Sequence, residues 1–280
     1  MTCDQPCVCC TSRDTRPHLA GLVQCRQCTH VWAPLDISRE EQAGLYDENY
    51  FKGAEYADYE AEAAALRRNF RSRVRELADL LPQGARLFEI GAAYGFFLLE
   101  ARSRFDVAGC DISEHAAAYA RQNFGLSVQA GDYLTMQTPA PLDAVCAWDV
   151  IEHLPHPDLF LEKAAGDLKP GGILALTTGD IGSFTARIRG RRWRLIHPPT
   201  HIHYFTRKSM AALLGRLGFS DPRIRYQAFW RSADAAARAL VPQPLYTRLK
   251  THKLLAFNFP LNLFDIMTVY ARKIGMPPGS

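Results

Sequence analysis

Residues 86–100, Arg-Leu-Phe-Glu-Ile-Gly-Ala-Ala-Tyr-Gly-Phe-Phe-Leu-Leu-Glu, followed by Asp-Val-Ala-Gly-Cys-Asp at 106–111, leave this chain few folds to choose from. The first run reads as a buried strand, a small-residue turn and a helix. The second reads as a strand ending in a carboxylate. Gly91 and Gly95 let the backbone turn tightly and approach a ligand with no Cβ in the way. The helix after them turns free N–H groups toward that ligand. Asp111 lies 20 residues after Gly91, where a strand-end carboxylate can hydrogen-bond both hydroxyls of a ribose. The expectation is a nucleoside-binding first half of a doubly wound α/β sheet.

A dinucleotide fingerprint, Gly-x-Gly-x-x-Gly, fails here, because positions 93 and 96 are Ala and Phe. An acidic residue followed by x-Gly-x-Gly-x-Gly fits better, as Glu89, Gly91, Ala93 and Gly95, with only the middle glycine replaced. The rest of the chain alternates strand and helix patterns, hence a mostly parallel sheet. Ahead of it, Ala63, Leu66, Phe70, Val74, Leu77 and Leu81 step by three and four residues after Tyr59, one apolar face of a long helix. Arg67, Arg68, Arg71 and Arg75 form its other, solvated face. Ser113 caps a helix through 116–123, which Gly125 ends. Strands follow at 126–130 and 142–148, then a helix at 158–168, the turn Lys169-Pro-Gly-Gly172 and a strand at 173–178. Thr206 caps a helix through Leu217, and Gly218 closes it. A strand at 222–230, a helical insertion at 231–263 and a last strand at 265–272 complete the domain.

The ordered set Glu-Ile-Gly-x-x-x-Gly, Cys-Asp111, Gly-Asp132, Asp-Val-Ile-Glu-His153 and Leu-Lys-Pro-Gly-Gly172 resembles the class I S-adenosylmethionine-dependent methyltransferases. The likeness is to their ubiquinone-biosynthesis O-methyltransferase branch and covers about 84–220. It implies that Glu89, Gly91, Ala93, Gly95, Asp111, Ile112, Asp132, Tyr133 and Trp148 line an S-adenosylmethionine site. Asp132 would face the adenine amino group and Tyr133 would flank the ring. Ala93 adds a methyl near the methionine end, a small volume that binding should survive. The activity implied is methyl transfer to a small molecule, a sugar or secondary-metabolite intermediate, with O-methylation favoured.

Six of the eight cysteines lie in the first 28 residues. Cys7-x-x-Cys10 and Cys25-x-x-Cys28, with 14 residues between the pairs, can set four thiolates about one structural Zn²⁺. A ribbon this small depends on its metal for stability. Cys3, Cys9 and His30 are spare ligand candidates. Some members of the superfamily carry such a ribbon. The expected division is a ribbon at 1–35, a helical linker and cover at 36–83, and the α/β domain at 84–280. Within the linker, Ser38 starts a short helix, and the aromatics of 46–51 wall a pocket or pin the ribbon.

Charge is uneven. Residues 36–62 hold nine acids and two bases, whereas 181–220 hold eight Lys/Arg, three His and no acid. The arginines at 187–194 suit a phosphate or carboxylate on the acceptor. His197, His201 and His203 have no acid or cysteine beside them in sequence, so a second metal is not expected. His153, His201 and His203 are the candidate general bases, with His201 or His203 favoured on the acceptor side. An RNA methyltransferase is the alternative enzyme, disfavoured by a net charge of only +4. A non-catalytic scaffold is the other, disfavoured by the intact glycine turn and acids. The start lacks a signal-peptide pattern and no apolar run reaches membrane-helix length, so a cytoplasmic protein is expected. The insertion can cover the pocket, contact a lipid-linked acceptor or pair two copies as a homodimer.

Overall fold

The computed structural model describes residues 5–35, 62–240, 243–252 and 254–274. Cys3, the helix expected at Ser38, the aromatic run 46–51 and Tyr59 lie outside them. In chain order, β1 (Thr15–Pro17), β2 (Val23–Cys25) and β3 (Val31–Trp32) form the ribbon, and α1 (Ala63–Ala78) follows. Then come β4 (Arg86–Ile90), α2 (Phe96–Ala101), β5 (Asp106–Asp111), α3 (Glu114–Phe124), β6 (Val128–Ala130), β7 (Leu142–Trp148), α4 (Pro157–Asp167) and β8 (Leu168–Gly179). The chain continues through α5 (Phe184–Arg189), β9 (His203–Tyr204), α6 (Arg207–Arg216), β10 (Arg223–Arg225) and β11 (Phe229–Ser232). It ends with α7 (Ala233–Leu240), α8 (Gln243–Thr251), β12 (Asn258–Leu261) and β13 (Ile266–Arg272).

The main sheet has seven strands in the order β10-β13-β8-β7-β4-β5-β6. β8, β7, β4, β5 and β6 are parallel, and β13 runs antiparallel to both its neighbours. Period-two alternation splits the core between the two faces. Phe88, Ile90, Val145 and Ala147 pack on one side, with Leu87, Ala144, Cys146 and Trp148 on the other. Both sides are covered, so the central strands are apolar almost throughout. Strand order reverses between β4 and β7, which opens a crevice beyond their carboxyl ends. Ser113 and Thr206 cap α3 and α6 as expected. The Ser113 hydroxyl accepts from Ala116 N–H, and Thr206 forms a reciprocal box with Ser209.

Three details depart from the pattern. Residues 169–172, expected as a turn, run inside β8, where Gly171 takes a φ of +77°. Residues 222–230, expected as one strand, divide. β10 joins the main sheet, whereas β11 pairs with β12 in a two-stranded sheet of its own. The third concerns the ribbon. Its sheet runs β1-β2-β3-β9, with Trp32 opposite His203. The ribbon is thus continued by a strand from the loop beyond β8.

Candidate functional site

The glycine turn and the β5 carboxylate form one unit. Asp111 is buried, its Oδ2 accepts from Ala93 N–H at 2.7 Å, and its Oδ1 accepts from Ser113 N–H at 2.9 Å. Burial pushes its pKa up, against the pull of those two N–H groups. Gly91 and Gly95 hold φ of +70° and +77°, so both need glycine's backbone freedom. A Cβ on Gly91 would come within 2.7 Å of Val150 Cγ2. Ala93 also sits in the left-handed region, at φ +47°. Its cost there is therefore conformational rather than volumetric, roughly 1–2 kcal/mol.

The other residues expected around the nucleoside take different positions. Ile112 is 42% exposed beside Asp111, an apolar side chain open to solvent. Asp132 Oδ1 accepts from Leu134 N–H at 2.9 Å in its turn. Tyr133 is a core residue. Its hydroxyl donates to Asp167 Oδ2 at 2.7 Å, and its ring packs by Phe88 and Phe160.

Beyond β4 and β7 the crevice holds a residue that sequence reasoning missed. Arg73 of α1 is 4% exposed, with its guanidinium carbon 4.6 Å from the Trp148 ring centroid. Its Nη2 lies 3.8 Å from Asp149 Oδ2. Its charge pulls down the Glu89 pKa, which burial nonetheless drives well above the usual carboxylate range. The signal was present: Arg73 stands three residues after Phe70 and four before Leu77, on the apolar stripe of α1. Glu89 Oε2, Trp148 Nε1, Glu152 Oε2 and Thr178 Oγ1 are four of the seven buried side-chain atoms without a close hydrogen-bond partner among the described residues, with Thr178 near enough to Glu152 to favour its charged form. All four lie on β4, β7 or β8 or just beyond β7. Buried polar atoms are normally paired, so this grouping is where a ligand's donors and acceptors belong.

Beyond β7 an acid does approach one of the three histidines of 197–203, although none adjoins them in sequence. Glu152 does so: ligand atoms of Glu152, His153 and His201 lie within 4.8 Å of one another, all three residues buried. His153 Nδ1 lies 3.0 Å from the Thr200 carbonyl, and His201 Nδ1 lies 3.0 Å from the Leu195 carbonyl. A carbonyl only accepts, so each Nδ1 carries the proton and each neutral ring keeps its lone pair on Nε2. That is the outer-shell arrangement of metal-binding histidines. Burial lowers the pKa of His153 to about 4 and of His201 to about 2. Burial, with the neighbouring charge of Asp149, raises Glu152 to about 8. His203 is brought elsewhere. Its Nδ1 is 3.0 Å from His30 Nε2 and its Nε2 is 3.2 Å from the Pro155 carbonyl, so both nitrogens are engaged within the protein. Of the arginines between 187 and 194, Arg194 is tied to Asp265 at 3.1 Å and the rest are exposed.

In the ribbon, the thiols of Cys7, Cys10, Cys25 and Cys28 gather within 4.8 Å of one another. Cys7 and Cys28 Sγ are 3.5 Å apart, and Cys10 and Cys25 Sγ 3.6 Å. Tetrahedral Zn²⁺ with sulfur ligands at about 2.3 Å requires sulfur–sulfur distances of about 3.8 Å. The donor set and its spacing fit that ion.

The chain matches the model of a family described as "Methyltransferase domain" over residues 61–221. Among its relatives is a ubiquinone biosynthesis O-methyltransferase of Xylella fastidiosa, 31% identical over 132 residues. That match covers 42% of this chain and 53% of the relative, so the chain spans about half of its length. A second Xylella fastidiosa protein of that description is 29% identical over 55% of this chain and 70% of its own. Among solved structures, an S-adenosylmethionine-dependent methyltransferase of Archaeoglobus fulgidus has a TM-score of 0.53 at 18% identity, covering 77% of this chain and 99% of that one. The magnesium protoporphyrin IX methyltransferase of Synechocystis, solved with bound S-adenosylmethionine, has a TM-score of 0.53 at 14% identity, covering 85% and 100%. These two show the fold, and the family match over more than half the chain shows the membership. The chain belongs to the methyltransferase domain family.

Proposed function

We propose that this enzyme methylates a hydroxyl of a small molecule, between a nucleoside-binding side built on β4 and β5 and an acceptor side built beyond β7. The observation that carries the reading is the Asp111 clamp. One carboxylate fixes the turn through Ala93 and the α3 entry through Ser113, and keeps further lone pairs for two ribose hydroxyls. Arg73 is the buried cation suited to the methionine carboxylate, and the unpartnered Glu89 oxygen suits the ammonium. Ile112 offers an apolar surface to the adenine, and Asp132 an acceptor for its amino group. The bound cofactor supplies a sulfonium methyl, so the chain's task is alignment and exclusion of water.

Deprotonating a hydroxyl is the remaining task. His153 and His201, lowered so far by burial, are weak bases on their own near neutral pH. Together with Glu152 they suit a divalent cation, which when bound would lower the pKa of a coordinated hydroxyl. Asp149, 3.8 Å from Arg73, lies between the two halves. The four-cysteine cluster suits a structural Zn²⁺, with no open position for chemistry. The relatives described as ubiquinone biosynthesis O-methyltransferases favour an oxygen acceptor.

Calorimetric titration with S-adenosylmethionine and its demethylated product tests the first half. Micromolar binding in the wild type, lost on Arg73→Met, is the expected result, and binding indifferent to Arg73 overturns the assignment. Transfer of labelled methyl to catechol or sugar hydroxyls, abolished by His153→Ala, tests the second.

A further inference from the structure

The ribbon's second knuckle ends at Cys28, and the residues after it are embedded in the main domain. Thr29 Oγ1 is 2.8 Å from Thr206 Oγ1. His30 is completely buried, stacked on Trp32 at 5.7 Å and on His203 at 5.2 Å between ring centroids. The hydrogen bonds fix both tautomers. The Pro155 carbonyl only accepts, so His203 Nε2 carries the proton and its Nδ1 the lone pair. His30 Nε2 must then be the donor to His203 Nδ1. The backbone repeats the linkage: Ile202 N–H and His203 N–H both donate to the Glu152 carbonyl, at 2.9 and 3.0 Å. Ala33 N–H of the ribbon donates to the Ile202 carbonyl at 2.9 Å. The segment 152–155, which carries Glu152 and His153, is thus held at both ends by His203, and His203 is held by His30.

We propose that His30 is a positioning residue, which by donating to His203 couples the four-cysteine ribbon to the acceptor-side group of Glu152, His153 and His201. This deepens the proposed reading and rests on it for the identity of that group as the acceptor side. It gives the ribbon a role in the active site without making its cysteines reacting groups. The opposing account is that the His30 ring only fills space. The two differ in what must be kept, a donor atom or an aromatic volume.

His30→Phe keeps the volume and stacking but has no donor. His30→Gln keeps an N–H at a similar reach but loses the ring. Each variant would be compared with wild type by imidazole nitrogen NMR of the His153 and His201 rings. Binding of Mn²⁺ by electron paramagnetic resonance, calorimetry with S-adenosylmethionine and zinc analysis complete the set. With zinc content and cofactor affinity unchanged in both, His30→Phe should shift the His153 and His201 resonances and weaken Mn²⁺ binding at least tenfold. His30→Gln should stay within about threefold of wild type. Unshifted His153 and His201 resonances in His30→Phe, or equal damage in both variants, overturn the proposal. So does a variant that sheds its zinc or cofactor affinity together with the rest. Wild-type protein that fails to bind S-adenosylmethionine would sink the cofactor reading, and one that ignores Mn²⁺ would sink the cation reading. The ring resonances report on His30 in either case.

Discussion

Asp111→Asn separates a ribose ligand from a mere turn clamp, because the structure predicts a different readout for each role. Both carboxylate oxygens accept from backbone N–H groups, Oδ2 from Ala93 and Oδ1 from Ser113. The amide has the same shape but only one acceptor oxygen. Whichever way it turns, an NH₂ meets a backbone N–H. Leaving one buried donor unpaired costs about 1–3 kcal/mol, and this applies with or without ligand. It therefore appears as lost stability in urea denaturation. A ribose hydroxyl donating to a charged carboxylate is worth about 1.5–3 kcal/mol, and part of this goes when the charge goes. At about 1.4 kcal/mol per tenfold, losing half or more of this lowers S-adenosylmethionine affinity roughly 3- to 100-fold by calorimetry, beyond any change in fold. Lower stability with unchanged affinity would reduce Asp111 to a clamp for the turn. Unchanged stability with unchanged affinity would refute the donor accounting itself.

Purified chain should carry one Zn²⁺, and Cys10→Ser should cut that content and expose the ribbon to proteolysis; a metal-free chain with an intact ribbon would reject the site. His201→Ala should abolish turnover and Mn²⁺ binding while leaving cofactor affinity within about threefold; retained turnover would place the deprotonating group elsewhere. Stability should also follow pH in a definite direction when no divalent cation occupies the Glu152, His153 and His201 group. Burial lowers His30 and His153 to about 4, His203 to about 3 and His201 to about 2, so the unfolded chain binds the extra protons. Their contribution is complete above about pH 6.5 and is lost as pH falls below it, at about 1.4 kcal/mol per histidine per pH unit. Glu152, raised to about 8, acts oppositely, its contribution being lost as pH rises from the ordinary carboxylate value through 8. Four histidines outweigh the buried acids below 6.5 and none acts above it, so melting temperature should peak near pH 6.5. A flat profile from pH 5 to 8 would contradict the burial of these rings as neutral species.

What was legible in the sequence was whatever is encoded locally. The Gly91–Gly95 turn, the Asp111 position, the Ser113 and Thr206 caps and the paired Cys-x-x-Cys knuckles each lie within a few residues of the partners that define them. What was not legible depends on elements that meet only in the folded chain. Arg73 reads as one more arginine on a basic helix until its place between Phe70 and Leu77 on the buried stripe is matched with Glu89 and Trp148 across the sheet. Glu152 adjoins His153 in sequence, yet it completes a set with His201 only because β7 and the loop after β8 end side by side. Tyr133 looked like a wall for the adenine by its place after Asp132, but its hydroxyl found Asp167 on α4 and took the ring into the core. His203 shows the same effect most clearly. Local composition makes it the equal of His201, two residues away, as a base. The ribbon's arrival decides otherwise, because β3 pairs with β9 and His30 occupies the Nδ1 of His203. A strand places neighbours at i and i+2 on one face, but only the partner strand determines which of them is closed off from a substrate. Here that partner is Val31–Trp32, from the far end of the chain, and no reading of the 197–205 loop alone could supply it.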